Sequence, residues 1–210
     1  MIYFTSDEHF YHSRVIEYCS RPFLSVESMN EMMVKNWNDV VGPDDTVYCL
    51  GDFSMAFRSV ELFSSRLLGT KKLVPGNHDF CHSYHKKSRT PDNQKKWIEK
   101  YKEFGWEVLH EQVSIDLGGD IGIVDMCHHP YSDDGSEGHD KYAKWRPQDE
   151  GRVLLHGHVH ERFLTKRSSS GSLQINVGCD VWDYKPVSLN QLLELIVKEN
   201  SINDINSLIK

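Results

Sequence analysis

Three histidines stand at every second position of the run LLHGHVHERF, residues 154–163. Strand side chains alternate between faces, so His156, His158 and His160 have the spacing of one side of a strand. Imidazoles gathered this way are either buried with a partner each or turned toward a metal. The other unusual polar residues favour the metal. Asp7 and His9 follow IYFTS, Asp52 follows VYCLG, Asn77, His78 and Asp79 follow KLVPG, and His128 and His129 follow IGIVDMC. Five apolar runs each close on metal-competent side chains, and sites in α/β sheets form outside the carboxyl ends of strands.

The donor chemistry fits two divalent ions. Imidazole and carboxylate without thiolate suit Mn, Fe, Co, Ni or Zn rather than a structural cysteine–zinc site. Asp7 and His9 can both reach one ion, as can His158 and His160. Asp52, with two oxygens, can bridge ions about 3.5–4 Å apart, the spacing of two-metal hydrolytic sites. Such a pair brings about +4 of charge against two carboxylates, a field that favours an anionic phosphate. Water held between the ions loses its proton near neutral pH and becomes a nucleophile.

These residues need strands and helices to bring them together. IYFTSD, TVYCLGD and KKLVPGNHD read as strands running into loops. SVESMNEMMVKNWNDVV reads as a helix with Ser25 or Ser28 as N-cap, FRSVELFSSRLLG as a helix stopped by Gly69, and TPDNQKKWIEKYKEFG as a helix opened by Pro91 and Asp92. Farther on, WEVLHEQVSIDLGGDIGIVDMCHHP, RVLLHGHVH and SLQINVGCD are β-rich with GG and SSSGS as turns. VSLNQLLELIV and INDINSLI read as a helix and a shorter second one. Alternating β and α followed by more antiparallel β implies two packed sheets with helices outside.

The bulk properties set bounds on this picture. With 210 residues, 39% of them hydrophobic, the chain suits one domain spanning 1–210 with a real core. A net charge of −7 does not suit a protein that coats nucleic acid, so no extended nucleic-acid surface is expected. Five dispersed cysteines without a CxxC pair indicate free, buried thiols. No apolar run approaches the roughly 20 residues of a membrane span. No charged leader precedes an apolar stretch at the start, and a cytoplasmic location is expected.

Asp7-x-His9, Gly51-Asp52, Gly76-Asn77-His78-Asp79, His128-x-Pro130 and Gly157-His158-x-His160 occur in the order found in calcineurin-like metallophosphoesterases. The chain resembles the compact, uncapped bacterial and phage members of that superfamily over nearly its whole length. The resemblance implies a four-layer α/β/β/α sandwich of two mixed sheets flanked by helices. It implies a first ion on Asp7, His9, Asp52 and His160, and a second on Asp52, Asn77, His128 and His158, with manganese the leading candidate. His78 is similar to the histidine that contacts the substrate phosphate, protonating the leaving oxygen or stabilising charge, and Asp79 to a residue that orients it. The implied reaction is hydrolysis of phosphodiesters or phosphomonoesters by in-line attack of a hydroxide held by the ions. A nucleotide or nucleic-acid end is the favoured substrate. A general small-molecule phosphomonoesterase is the alternative, and a non-catalytic scaffold of this fold a further one. GDFSM and the proline of VPGNHD depart from the protein serine/threonine phosphatase pattern and argue against that activity.

The His-x-Pro pattern favours His128 as ligand and leaves His129 as the alternative. His129 joins His12 and Arg58 as candidate substrate contacts, and Arg14 and Arg21 are further candidates for clamping phosphate. His156 reads as buried support. Asn176 and Asp180 suit a turn or the pocket edge, and Cys127 and Cys179 the core. Asp133, Glu137 and His139 could form an acidic lid. Ile202, Ile205, Leu208 and Ile209 have the spacing of a helix packed on the domain.

Overall fold

The computed structural model describes residues 1–119, 121–131 and 140–208, with the side chains of 203–208 left aside. In chain order its strands and helices are β1 Ile2–Thr5, α1 Ser13–Tyr18, α2 Val26–Val40, β2 Thr46–Cys49, α3 Phe57–Ser64, β3 Thr70–Leu73, α4 Pro91–Glu103, β4 Trp106–Val108, β5 Gln112–Asp116, β6 Ile123–Cys127, β7 Val153–His156, β8 Thr165–Arg167, β9 Leu173–Asn176, β10 Val187–Ser188 and α5 Leu189–Leu208. Local chemistry accounts for the helix starts. Ser25 and Ser28 cap α2 reciprocally, each hydroxyl accepting the other's backbone N–H. Thr90 accepts from the Asn93 amide, and Pro91 opens α4, where its missing N–H is not needed.

Two five-stranded mixed sheets result, in orders β10-β1-β2-β3-β4 and β5-β6-β7-β9-β8. In the first, β1 to β4 are parallel and β10 is antiparallel to β1. In the second, β6, β7 and β9 are parallel, with β5 and β8 antiparallel at the edges. Alternation along the first sheet sorts its side chains. Phe4, Leu50 and Val74 pack against Val124, Met126, Leu155, Leu173 and Ile175 of the second sheet. Tyr3, Val47, Cys49 and Leu73 face the other way, onto Val15, Met29, Met33, Trp37, Val60 and Phe63 of helices α1, α2 and α3.

The architecture is the expected pair of mixed sheets flanked by helices. Leu192 and Ile196 place α5 against the core between the sheets, and its Glu199 accepts from Thr165 of β8. On the outer side of the second sheet, Cys127 and Leu154 pack with Tyr131, and the Cys127 thiol reaches the Trp145 carbonyl. The C-terminal reading needs correction: residues 189–208 form one helix rather than two, because no glycine or proline interrupts it. Ile202 on that helix is 44% exposed rather than packed, and Ile205, Leu208 and Ile209 lie outside the described side chains. The lid residues Asp133, Glu137 and His139 also lie outside the described residues. All five cysteines are free and buried. Among the described residues no helix is long and apolar enough to cross a membrane.

Candidate metal centre

Parallel pairing of β1 with β2 matches Thr5 to Cys49, so the loops leaving both strands run side by side. The Asp7 amide donates to the Gly51 carbonyl and the His9 amide to the Asp52 carbonyl, each at 3.0 Å. Across the seam, Ser6 bridges to Gly178 after β9, which brings the second sheet's carboxyl ends to the same place. Asp7, His9, Asp52, His158 and His160 all adopt left-handed backbones, with φ between 50° and 71°. Non-glycine residues rarely do so, and each costs about 1–3 kcal/mol that the surrounding bonds must hold.

The spacing of His156, His158 and His160 is therefore not that of one strand face. β7 ends at His156, and the next two histidines stand in a tight turn beyond it. Gly157 makes that turn possible, because a Cβ there would collide with Ser6 Oγ and the Asp7 carboxylate. Its amide donates to the His128 carbonyl at 3.0 Å. His156 is fully buried, with Nδ1 on the Gly157 carbonyl at 2.8 Å, and packs on Phe163 as support.

Each aspartate has one oxygen fixed and one left for the site. Asp7 Oδ2 accepts from the His158 amide at 2.9 Å, and Asp52 Oδ1 from the His78 amide at 2.8 Å. Asp52 Oδ2 lies 3.7 Å from His9 Nε2 and 3.4 Å from His128 Nε2. Asp7 Oδ1 lies 3.9 Å from His9 Nε2 and 4.0 Å from His160 Nε2. Nitrogen–metal and oxygen–metal bonds of about 2.0–2.2 Å set ligand atoms at such mutual separations.

Partners behind the rings set the tautomers. His128 Nδ1 meets the Leu50 carbonyl at 2.7 Å, and His160 Nδ1 meets Asp180 Oδ2 at 3.0 Å. Nδ1 is the donor in both pairs, so Nε2 is the nitrogen that faces the aspartates and would take an ion once its proton is displaced, the carboxylate–histidine arrangement of metal sites. Asp7 Oδ1, Asn77 Oδ1 and His128 Nε2 are buried without a hydrogen-bond partner among the described residues. Buried polar atoms without a partner are costly unless a cation takes them, so the residues present fit divalent ions.

Electrostatics point the same way. Burial pushes the Asp52 carboxyl up, yet the His128, His78 and His9 imidazoles outweigh it and hold the group well below the usual range. Burial, with His160, Arg21 and His78 adding to it against the opposing pull of Asp52, holds His9 well below its ordinary value, in the neutral form a metal needs.

A cavity of about 720 Å³ opens over this cluster, lined by His9, His12, Asp52, Asn77, His78, His158 and His160. His78 is partly exposed there, with Nε2 3.9 Å from Asp52 Oδ2. His12 precedes α1, lines the cavity and stands 5.3 Å from the His9 ring. Asp79 does not touch the His78 imidazole. Its carboxylate accepts from the Asp52, Gly76 and Phe53 amides and the Tyr101 hydroxyl, so it holds the backbone that presents Asp52 and His78.

Arg58 lies elsewhere, in a neighbouring groove with Tyr11, Glu61 and Leu62. Arg14 is exposed outside the cavity, and Lys141, Arg162, Tyr18 and Tyr142 line the rim instead. Arg21 is 4% exposed and points inward. It forms two bonds to Asp180, at 2.7 and 2.8 Å, and reaches the Asp7 and Glu8 carbonyls at 2.7 and 3.0 Å. Asp180 thus links Arg21 to His160, a role that its place after GC in NVGCD does not betray. Asn176 steadies the same turn through the His160 and Phe163 carbonyls.

Two mixed sheets with oxygen and nitrogen donors converging at their carboxyl ends define a protein of the metal-dependent phosphoesterase class. The calcineurin-like phosphoesterase superfamily domain matches residues 2–188, and the chain belongs to that superfamily. The chain is 32% identical to the gene 66 protein of Mycobacterium phage L5 over 206 residues, covering 92% of this chain and 93% of that one. It is also 32% identical to an uncharacterized protein of Methanocaldococcus jannaschii, over 99% of this chain and 97% of the other. A solved structure of a protein of unknown function from Aquifex aeolicus is similar with a TM-score of 0.66 and 26% identity, over 93% of this chain and 98% of that one.

Proposed function

We propose that the protein is a two-metal phosphoesterase acting on phosphodiesters or phosphomonoesters, with a nucleotide or nucleic-acid end as the favoured substrate. One ion would be held by Asp7, His9, Asp52 and His160, and the other by Asp52, Asn77, His128 and His158. The observation that carries this reading is Asp52 Oδ2, a single carboxylate oxygen with His9 Nε2 at 3.7 Å on one side and His128 Nε2 at 3.4 Å on the other. When bound, such ions neutralise the phosphoryl oxygens and supply a water ionised near neutral pH.

The chain's own groups do the rest. His78 lines the cavity, and from there its imidazole would give a proton to the leaving oxygen. Lys141 and Arg162 on the rim supply positive charge for the phosphate and its substituents. Tyr18, 64% exposed, offers a planar face to a base. Asp79 and Gly76 fix the loop that carries Asn77 and His78, so the acid and the amide ligand move as one piece.

Measuring bound metal, and then hydrolysis of p-nitrophenyl phosphate and its bis-ester with Mn, Ni, Zn and Mg, tests the reading. Turnover with at least one ion is expected, and no turnover of either ester with any of them refutes it. His78→Ala should keep its metal and lose about 10²–10⁴-fold in kcat, the range of a lost general acid. Asp52→Ala should lose metal itself. Wild-type activity in His78→Ala would remove that residue from the reaction.

A further inference from the structure

His129 is fully buried, and neither of its ring nitrogens has a hydrogen-bond partner among the described residues. A neutral imidazole carries one donor and one acceptor, so this burial forfeits both. The groups around the ring do not repair the loss. Tyr142 stacks on it at 4.7 Å, a ring contact and not a hydrogen bond. His82 stands 6.0 Å away with its Nδ1 taken by the Tyr84 amide and its Nε2 turned to Glu111 at 3.9 Å.

What the ring does face is the second ion's ligand set. Its centroid lies 5.0 Å from that of His128 and 4.7 Å from that of His158. One nitrogen from each of His128, His129 and His158 lies within 4.8 Å of the other two. Strand alternation would send adjacent residues to opposite faces. β6 ends at Cys127, however, and beyond it the rings of His128 and His129 stand at 84° and converge.

We infer that His129 is a further ligand of the second ion, joining Asp52, Asn77, His128 and His158. The inference rests on the two-ion reading and sharpens it by making the two sites unlike. The second site then offers three imidazoles where the first offers two, His9 and His160. Affinity for imidazole-rich sites rises from manganese through cobalt to nickel, so the second site fills first and prefers the later metals.

Calorimetric and visible-absorption titration of the metal-stripped protein with cobalt tests this in wild type, His129→Phe and His129→Gln. Wild type should bind two ions. In His129→Phe the tighter affinity should fall at least about 10-fold, since even groups behind a ligand cost 10–100-fold. The weaker affinity should stay, the absorption of the tight site should change, and His129→Gln should fall between. Metal-free melting of His129→Phe should match or exceed that of wild type, because an unpaired buried imidazole is removed.

Wild-type affinities and spectra in both variants overturn the inference and leave the two-ion reading standing. A wild type that binds fewer than two ions fells both. X-ray absorption of wild type with one equivalent of nickel gives a reading free of any variant. Three imidazoles support the inference, and two refute it.

Discussion

Single atoms in this site are committed before any ion arrives. One oxygen of Asp7 and one of Asp52 take backbone N–H groups, and Nδ1 of His128 and of His160 takes a carbonyl or carboxylate. The same partners raise the proton affinity of the rings. Burial lowers His128, but Asp52 outweighs it and lifts the imidazole to about 9. Burial lowers His160 as well, and the hydrogen bond to Asp180 lifts it to about 11. Both folded values exceed the ordinary one near 6.5, so these rings are charged in the metal-free protein at neutral pH. Their contribution to metal-free stability is complete below about pH 6.5 and is lost as pH rises through about 9 and beyond. A metal must displace those protons, so its affinity should move in the opposite sense. Manganese affinity is expected to rise about tenfold per pH unit for each displaced proton between pH 6.5 and 8.5, with acid released into a weak buffer on binding. An affinity flat across that range, with no acid release, would show that these rings do not receive the ion.

Elements contribute by where they stop. β1, β2, β3, β6 and β7 all end just before a ligand candidate, and after β1, β2 and β7 left-handed residues turn the chain sharply. Gly157 is the tightest of these turns. In Gly157→Ala the methyl group would meet Ser6 and Asp7, and relief requires the β7 turn to leave the β1 turn. We expect a loss of about 2–4 kcal/mol, the scale of a strained or overpacked core site. That lowers Tm by several degrees and also weakens metal binding, both visible in melts with and without manganese. A variant that melts and binds like wild type would mean the turn has slack that the close approach denies. The strand ends were legible in the sequence because apolar runs broke off at Asp, Asn and His. The turns were not, since a two-residue spacing of histidines reads as a strand whether or not the backbone continues as one. Asp180 was hidden for a related reason. An aspartate after Gly and Cys looks like turn chemistry, and only pairing of β7 with β9 brings it beneath His160. Arg58 lines a groove other than the one over the ligand candidates, and an exposed arginine near GDFSM carries no sign of which groove it enters.

At the scale of the whole molecule, the two candidate ions would stitch the sheets together. Asp7, His9, Asp52 and Asn77 leave the first sheet, whereas His128, His158 and His160 leave the second. Each proposed ligand set draws on both. Without ions, the carboxyl ends of the sheets are joined by the Ser6–Gly178 bridge and by Arg21, whose guanidinium spans Asp180 and the Asp7 and Glu8 carbonyls. Asp7 Oδ1, Asn77 Oδ1 and His128 Nε2 meanwhile stay buried and unpaired. The site is therefore the place where the fold has most to gain from a ligand. An ion at 100 times its dissociation constant adds about 2.7 kcal/mol, so two independent ions add about 5 kcal/mol. For a chain of this size, about 2–4 °C per kcal/mol makes that a rise of roughly 10–20 °C in Tm. Saturating manganese should raise the melting temperature of the chelator-treated protein by that order, and Asp52→Ala, which loses the shared oxygen, should forfeit most of it. Equal melting with chelator and with saturating manganese, in a protein shown to bind the metal, would mean that the unfolded chain holds the ions as well as the folded one does and would break the link drawn between the site and the fold.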